Sequence, residues 1–286
     1  MPSVLISGAS TGIGLAAAQY LAEHGWIVFA GVRKTEDGDR LKEVNSSIHP
    51  IILDVTKPDQ ISEAMSDVSE ALQGKTLSGL VNNAGIANMA PIALQSLDDF
   101  KAHFEVNCFG TLALTQAALP LLGMDKARNG KPGRIINITS MGGELTAPFL
   151  GAYCATKHAV ESLTDSFRRE LMMYGIDAIT IGPGSVKTPI WEKAGETNKD
   201  TPYKDTPWGA SLRKFADEFI KGGEDGLEPV EVARVIEIAL TDDSPKTRYA
   251  PVPNKLMNWT LPRLLPTRMV DKIMGKRYGL MSDNDT

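Results

Sequence analysis

Short β-branched runs alternate with longer amphipathic stretches along almost the whole chain, and few folds satisfy that rhythm. The runs at 4–7, 26–31, 51–54, 79–82, 134–139, 178–182 and 248–252 are apolar at consecutive positions. That is the pattern of strands buried on both faces. Between them the spacing predicts helices over 13–24, 58–72, 97–122, 152–174 and 229–241. A repeated strand–helix–strand order implies a parallel sheet with right-handed crossovers and helices on both faces. The expected fold is therefore a single α/β domain, a doubly wound parallel sheet of seven strands. We set its limits at 1–252, with 253–286 as a C-terminal extension packing on the same domain.

Composition removes several function classes. The chain has 286 residues, 42% of them hydrophobic and 23% charged, as in an ordinary globular enzyme. A formal net charge of −5 argues against nucleic acid as a general partner, because phosphate attraction needs a basic face. Cys108 and Cys154 form neither a disulfide framework nor a metal-ligand spacing, which suits a reducing compartment. Neither do the four histidines fall near other metal ligands, so no metal is expected. The apolar run at 4–6 is too short for a signal peptide, and no run of about 18 apolar residues could span a bilayer. A cytoplasmic location is the expectation.

Three segments carry chemistry. Ser7-Gly8-Ala9-Ser10-Thr11-Gly12-Ile13-Gly14 lies between the first strand and the first helix. Glycines there permit a tight turn and let backbone N–H groups approach a pyrophosphate at the helix N-terminus. The end of the second strand chooses the dinucleotide: an acid suits the ribose hydroxyls of NAD(H), a cation the 2′-phosphate of NADP(H). Here Arg33 and Lys34 follow Val32 and no acid does, which favours NADP(H) while leaving NAD(H) possible. Finally, Tyr153 and Lys157 are four residues apart on one predicted helix face, with Ser140 upstream. A nearby ammonium is expected to lower a phenol's pKa, which suits proton exchange with an alcohol oxygen.

With these segments together, the chain resembles a short-chain dehydrogenase/reductase of the Tyr-Lys type over about residues 3–190, which implies a Rossmann fold. The family's glycine turn corresponds to 7–14, with Ser7 at the leading position, and its adenine-contacting aspartate to Asp54 beside Val55. Its N-N-A-G segment is Asn82-Asn83-Ala84-Gly85, and Asn107 matches the asparagine that holds a proton-relay water. Ser140 matches the carbonyl-polarising serine, Tyr153 the acid-base and Lys157 the cofactor-binding lysine. Pro183, Gly184, Val186 and Thr188 lie in the segment beside the nicotinamide; Gly182 departs from the Asn or Glu of many relatives. The resemblance implies reversible hydride transfer between NAD(P)(H) and a carbonyl or secondary alcohol. The rival expectation is a dinucleotide-sensing or scaffold protein of the same fold without turnover; the presence of all four catalytic positions argues against it.

Substrate identity is less constrained. Met141, Leu145, Phe149 and Leu150 lie between Ser140 and Tyr153, and Trp191 follows the nicotinamide turn. Together they suggest an apolar or bulky substrate, such as a steroid, retinoid or aromatic ketone, as in the retinol/steroid-dehydrogenase-like branch. The stretch 188–226 is polar, rich in Gly and Pro, and carries embedded aromatics, the composition of a lid. The segment 253–280 mixes Lys and Arg with Leu, Met and Trp. Pocket cover or packing is expected there; Pro262 and Pro266 interrupt any long helix that could lie on a membrane surface. The long helices after Leu97 and Ala152 resemble those of the family's oligomer interface, so a homodimer or homotetramer is expected.

Overall fold

A computed structural model describes residues 1–189 and 201–282. Seven strands form one parallel sheet in the order β3-β2-β1-β4-β5-β6-β7. They are β1 Ser3–Ile6, β2 Ile27–Val32, β3 Ile48–Ile52, β4 Gly79–Asn82, β5 Arg134–Ile138, β6 Asp177–Ile181 and β7 Arg248–Tyr249. All four residues of β1 are buried, as a central strand covered on both faces requires. β3, at the edge, buries only Ile48 and Ile51 fully and carries Pro50, which an edge strand tolerates.

Helices cover both faces. One face buries Ala17, Ala18 and Leu21 of α1 (Gly12–Glu23) against the sheet together with Val232, Ala233 and Ile236 of a late helix, Pro229–Thr241. That late helix starts from proline in its first turn and a capping box in which the Glu228 N–H donates to Glu231 Oε2 at 2.8 Å. The other face buries Ile61, Ala64 and Val68 of Pro58–Leu72 with Leu114 and Ala118 of Gly110–Ala118. Among the described residues the α-helices, in chain order, are α1, α2 (Thr35–Val44), α3 (Pro58–Leu72), α4 (Leu97–Phe104), α5 (Gly110–Ala118), α6 (Gly151–Glu170), α7 (Gly209–Glu224), α8 (Pro229–Thr241), α9 (Leu261–Leu264) and α10 (Thr267–Tyr278).

β3 spans 48–52 where 51–54 is expected, and β7 ends at Tyr249 where 252 is expected; among the helices and the lid the structure departs from the sequence pattern in three further places. α2 has few apolar residues, burying only Gly38 and Leu41, so hydrophobic periodicity does not announce it. The helix expected over 97–122 is interrupted by π-helical turns at Glu105–Phe109 and Pro120–Met124, and the first of these holds Asn107. The stretch 188–226, expected as a lid loop, contains the 16-residue α7, which buries Leu212, Phe215 and Ala216. Strand order reverses between β1 and β4, and the crevice beyond their carboxyl ends is where such sheets bind ligands.

Candidate active site

The turn after β1 is knitted to the loop after β4. Ser7 Oγ accepts from the backbone N–H groups of Asn83 at 3.0 Å and Ala84 at 3.1 Å. Asn83 Nδ2 donates in return to the carbonyls of Ser7 and Gly8, at 3.1 and 3.0 Å. Gly8 sits at φ +67°, a left-handed conformation that favours glycine. A Cβ on Gly14 would lie 2.3 Å from the Gly8 carbonyl oxygen and 2.5 Å from Asn83 Nδ2. Only glycine lets α1 begin so close to the turn. Thr11 precedes α1 in an extended conformation and makes no side-chain cap, leaving first-turn N–H groups for an anion. A Cβ on Gly12 would lie 3.1 Å from Thr188 Cγ2, so the nicotinamide-side segment closes against the same turn. This cradle fits a dinucleotide pyrophosphate.

At the end of β2, Arg33 and Lys34 are exposed. Asp54, after β3, accepts from the Thr56 N–H at 2.9 Å and the Thr56 hydroxyl at 2.7 Å. Burial alone would raise the Asp54 carboxyl, yet these bonds and the charges of Arg33 and Lys57 hold it below the usual range. Val55, beside it, packs over Gly110 of α5, where a Cβ would meet Val55 Cγ2 at 2.6 Å.

The residues expected from the sequence to handle protons converge from α6, the end of β5 and the π-helical turn. Tyr153 and Lys157 lie one turn apart on α6, and the Lys157 Nζ is 5.6 Å from the Tyr153 ring centroid. Ser140, following β5, accepts from the Gly142 N–H at 3.0 Å and hydrogen-bonds to the Tyr153 phenol. Burial pushes the phenol up to about 12; the Ser140 bond pulls against it. The sequence-based expectation of a phenol lowered by Lys157 is therefore reversed here, since burial outweighs any effect of that charge. The Lys157 ammonium instead donates to the Ile138 carbonyl at 2.9 Å. Burial lowers its pKa to about 8, partly offset by the nearby Glu161 carboxylate.

Asn107 is held by a reciprocal pair: its Oδ1 accepts from the Ile86 N–H at 2.8 Å and its Nδ2 donates to the Ile86 carbonyl at 2.9 Å. A further bond runs from Nδ2 to Thr156 Oγ1 at 3.0 Å, tying the π-helical turn to α6. The open side of Gly85 faces both Asn107 Oδ1 and Lys157 Nζ. Beneath them a buried ladder that the sequence reading missed links Asn82 Nδ2 to Thr115 and Asn137, and Asn137 to Thr164, each at 2.8 Å.

Ser140 and Tyr153 open into a cavity of about 740 Å³. Ile13, Pro183, Gly184, Val186 and Thr188 line the side next to the glycine turn. Met141, Leu145 and Leu150 line the other, under Phe215 and Phe219 of α7. Met257, Leu261, Leu265, Val270, Ile273 and Met274 of the C-terminal extension complete the wall. Phe149 lies behind this wall at φ +64°, buried against Phe215 with ring centroids 5.6 Å apart. Trp191 lies outside the described residues. Among the described residues no group of His, Cys, Asp or Glu is arranged to hold a metal, and no helix is long and apolar enough to cross a membrane.

A glycine cradle at a sheet switch point, with Ser, Tyr and Lys beside it, defines a dinucleotide-dependent dehydrogenase. The short chain dehydrogenase family model matches residues 2–199, and the chain belongs to that family. It is similar to an NADPH-dependent 3-dehydrocapnine reductase of Ornithobacterium rhinotracheale, 40% identical over 96% of this chain and 97% of that protein. It is also similar to human retinol dehydrogenase 5, 33% identical over 95% of this chain and 87% of that protein. A solved short-chain dehydrogenase from Streptomyces avermitilis superposes with TM-score 0.76 at 25% identity, covering 96% of this chain and 94% of that one. The chain is an NAD(P)(H)-dependent oxidoreductase.

Proposed function

We propose that the chain interconverts a bulky apolar ketone and its secondary alcohol, with NADP(H) preferred over NAD(H). The observation that carries this reading is the shared opening of Ser140 and Tyr153 into a large, mostly apolar cavity that also meets the coenzyme turn. Bound NADPH supplies the hydride. Ser140 holds the substrate oxygen, and Tyr153, with its raised pKa, stays a phenol at neutral pH and can donate the proton. Lys157, buried beside Asn107 and Gly85, holds the coenzyme ribose, and Asn107 orders a water leading towards solvent. Gly8, Ser10, Thr11, Gly12, Ile13 and Gly14 hold the pyrophosphate, and Asn83, Ala84 and Gly85 back them. Asp54 and Val55 flank the adenine.

The preference for NADP(H) is supported by exposed Arg33 and Lys34 and by the NADPH dependence in the name of the reductase of Ornithobacterium rhinotracheale. Oligomerisation through the α4–α6 side is supported by Leu97 and Phe109, which are 65% and 51% exposed. Two buried free thiols suit a reducing compartment such as the cytoplasm. The non-catalytic alternative has no observation in its favour.

A panel of ketones graded in length and bulk, assayed with NADPH and NADH separately, tests the reading. We expect kcat/KM to rise with apolar size and to favour NADPH. A preference for small polar ketones, or for NADH, would contradict it.

A further inference from the structure

Gly182 directly follows β6, and the space beside its backbone is filled by a side chain from β7. A Cβ there would lie 2.2 Å from Arg248 Nη2 and 2.9 Å from its Cζ. The guanidinium of Arg248, on β7, thus lies across the backbone of Gly182. From there it reaches two carboxylates on different elements. Its Nε pairs with Glu144 Oε1 at 2.7 Å and its Nη2 with Glu161 Oε1 at 3.0 Å. Nη2 also approaches the Ser140 carbonyl at 3.4 Å. Glu144 belongs to the loop that carries Ser140, and Glu161 lies one turn beyond Lys157 on α6.

The outer face of the same guanidinium stacks on Trp259 of the C-terminal extension, 4.4 Å from the ring centroid. Arg263 stacks at 4.6 Å and closes back on Glu144 Oε2 at 2.6 Å. Trp259 is only 5% exposed, and both cations lie within cation–π distance of its ring. Thr139 donates to Glu161 Oε1 at 2.7 Å, and a Cβ on Gly143 would meet Glu161 Oε1 at 3.1 Å. The carboxylate is therefore seated firmly between β5, α6 and β7.

We propose that Arg248 is a positioning residue that couples the C-terminal cover to the catalytic groups. Closure of Trp259 and Arg263 over the guanidinium fixes Glu144 and Glu161, and through them the Ser140 loop and the turn of α6 bearing Lys157. The charge of Glu161 supports the protonated state of Lys157, a link of the same network. This inference rests on the proposed catalytic roles of Ser140 and Lys157 and adds that the cover aligns them.

The test compares Arg248→Ala, Gly182→Ala, their double variant and Trp259→Ala in the full chain, with active sites counted by NADPH-binding stoichiometry. Gly182→Ala displaces the guanidinium without removing it. We expect Arg248→Ala, Gly182→Ala and Trp259→Ala each to lower kcat per active site on the order of 10- to 10²-fold, with NADPH-binding stoichiometry retained. The double variant should fall well short of the product of the two single losses, because the guanidinium clash is gone and only the 3.1 Å contact of the new Cβ with the Ser140 carbonyl remains. Hydrogen exchange over 141–145 should accelerate in Arg248→Ala and in Trp259→Ala, a readout independent of turnover. Unchanged kcat per site in Arg248→Ala, multiplicative losses in the double variant, or unchanged exchange in Trp259→Ala would each overturn the coupling. Should Arg248→Ala not fold, Gly182→Ala and Trp259→Ala decide the question by the same kcat and exchange criteria. A parallel Tyr153→Phe variant separates the two readings. Its full activity would remove the catalytic assignment, whereas its inactivity beside a fully active Arg248→Ala would remove only the coupling.

Discussion

The coenzyme turn at 7–14 and the C-terminal cover at 256–278 face one cavity, yet they are held by opposite means. The turn is built from backbone: Ser7 and Asn83 bind main-chain groups, and Gly14 leaves no room for a Cβ. The cover is built from side chains: Trp259 carries two guanidiniums over its ring, Arg277 pairs with Glu218 of α7, and Tyr278 meets the Phe215 ring edge-on. Backbone packing of the first kind tolerates almost no substitution. Side-chain packing of the second kind can change its shape while the sheet stays the same. Under the proposed function, coenzyme binding belongs to the rigid region and substrate choice to the adaptable one.

Breaking the catalytic pair or the rigid turn should produce the largest effects. Tyr153→Phe should lower kcat by about 10²–10⁴-fold with NADPH affinity nearly unchanged, measured by steady-state rates and coenzyme fluorescence titration. Gly14→Ala should act differently, weakening coenzyme binding and destabilising the fold by about 1–3 kcal/mol, as denaturant melts can show. Arg33→Ala should reduce discrimination between NADPH and NADH by about 10-fold, through loss of a charge-assisted hydrogen bond of about 1.5 kcal/mol, and leave kcat with NADH intact.

The smallest effect is a pH dependence. Burial lowers Lys157 from 10.5 to about 8, so between these values the unfolded chain holds a proton that the folded chain has released. The cost of burying the ammonium is present below about 8 and is relieved as pH rises towards the unfolded value, so stability from this group increases with pH. Lys157→Met should therefore gain stability relative to the parent at neutral pH, beyond any constant offset, and that relative gain should shrink towards pH about 10. A pH-independent difference in melting temperature would contradict this account of Lys157.

Legibility in the sequence follows the same division. Strands β1, β2, β4, β5 and β6 were readable because burial on both faces leaves runs of apolar residues, as in Val4-Leu5-Ile6. The glycine turn and the Tyr153–Lys157 spacing are local, so residues near in sequence carry them. The ends of the sheet were less clear, since β3 is half-exposed and β7 is two residues long. α7 was hidden by glycines and charges, although its Leu212, Phe215 and Ala216 share a buried face. The Arg248–Glu144–Glu161–Trp259 cluster was missed because it joins residues up to 115 positions apart (259 − 144) and no single segment displays it. The raised pKa of Tyr153 was missed for a related reason: the Tyr–Lys spacing is local, but burial comes from the whole cavity wall.

The most direct measurement of the central claim follows deuterium from NADPH carrying deuterium at both C4 positions during reduction of a bulky apolar ketone by the parent chain. The account predicts that the label appears on the carbinol carbon of the product. It also predicts that Tyr153→Phe slows this transfer while still binding the labelled coenzyme. Product without label on that carbon, or undiminished transfer in Tyr153→Phe, would contradict it.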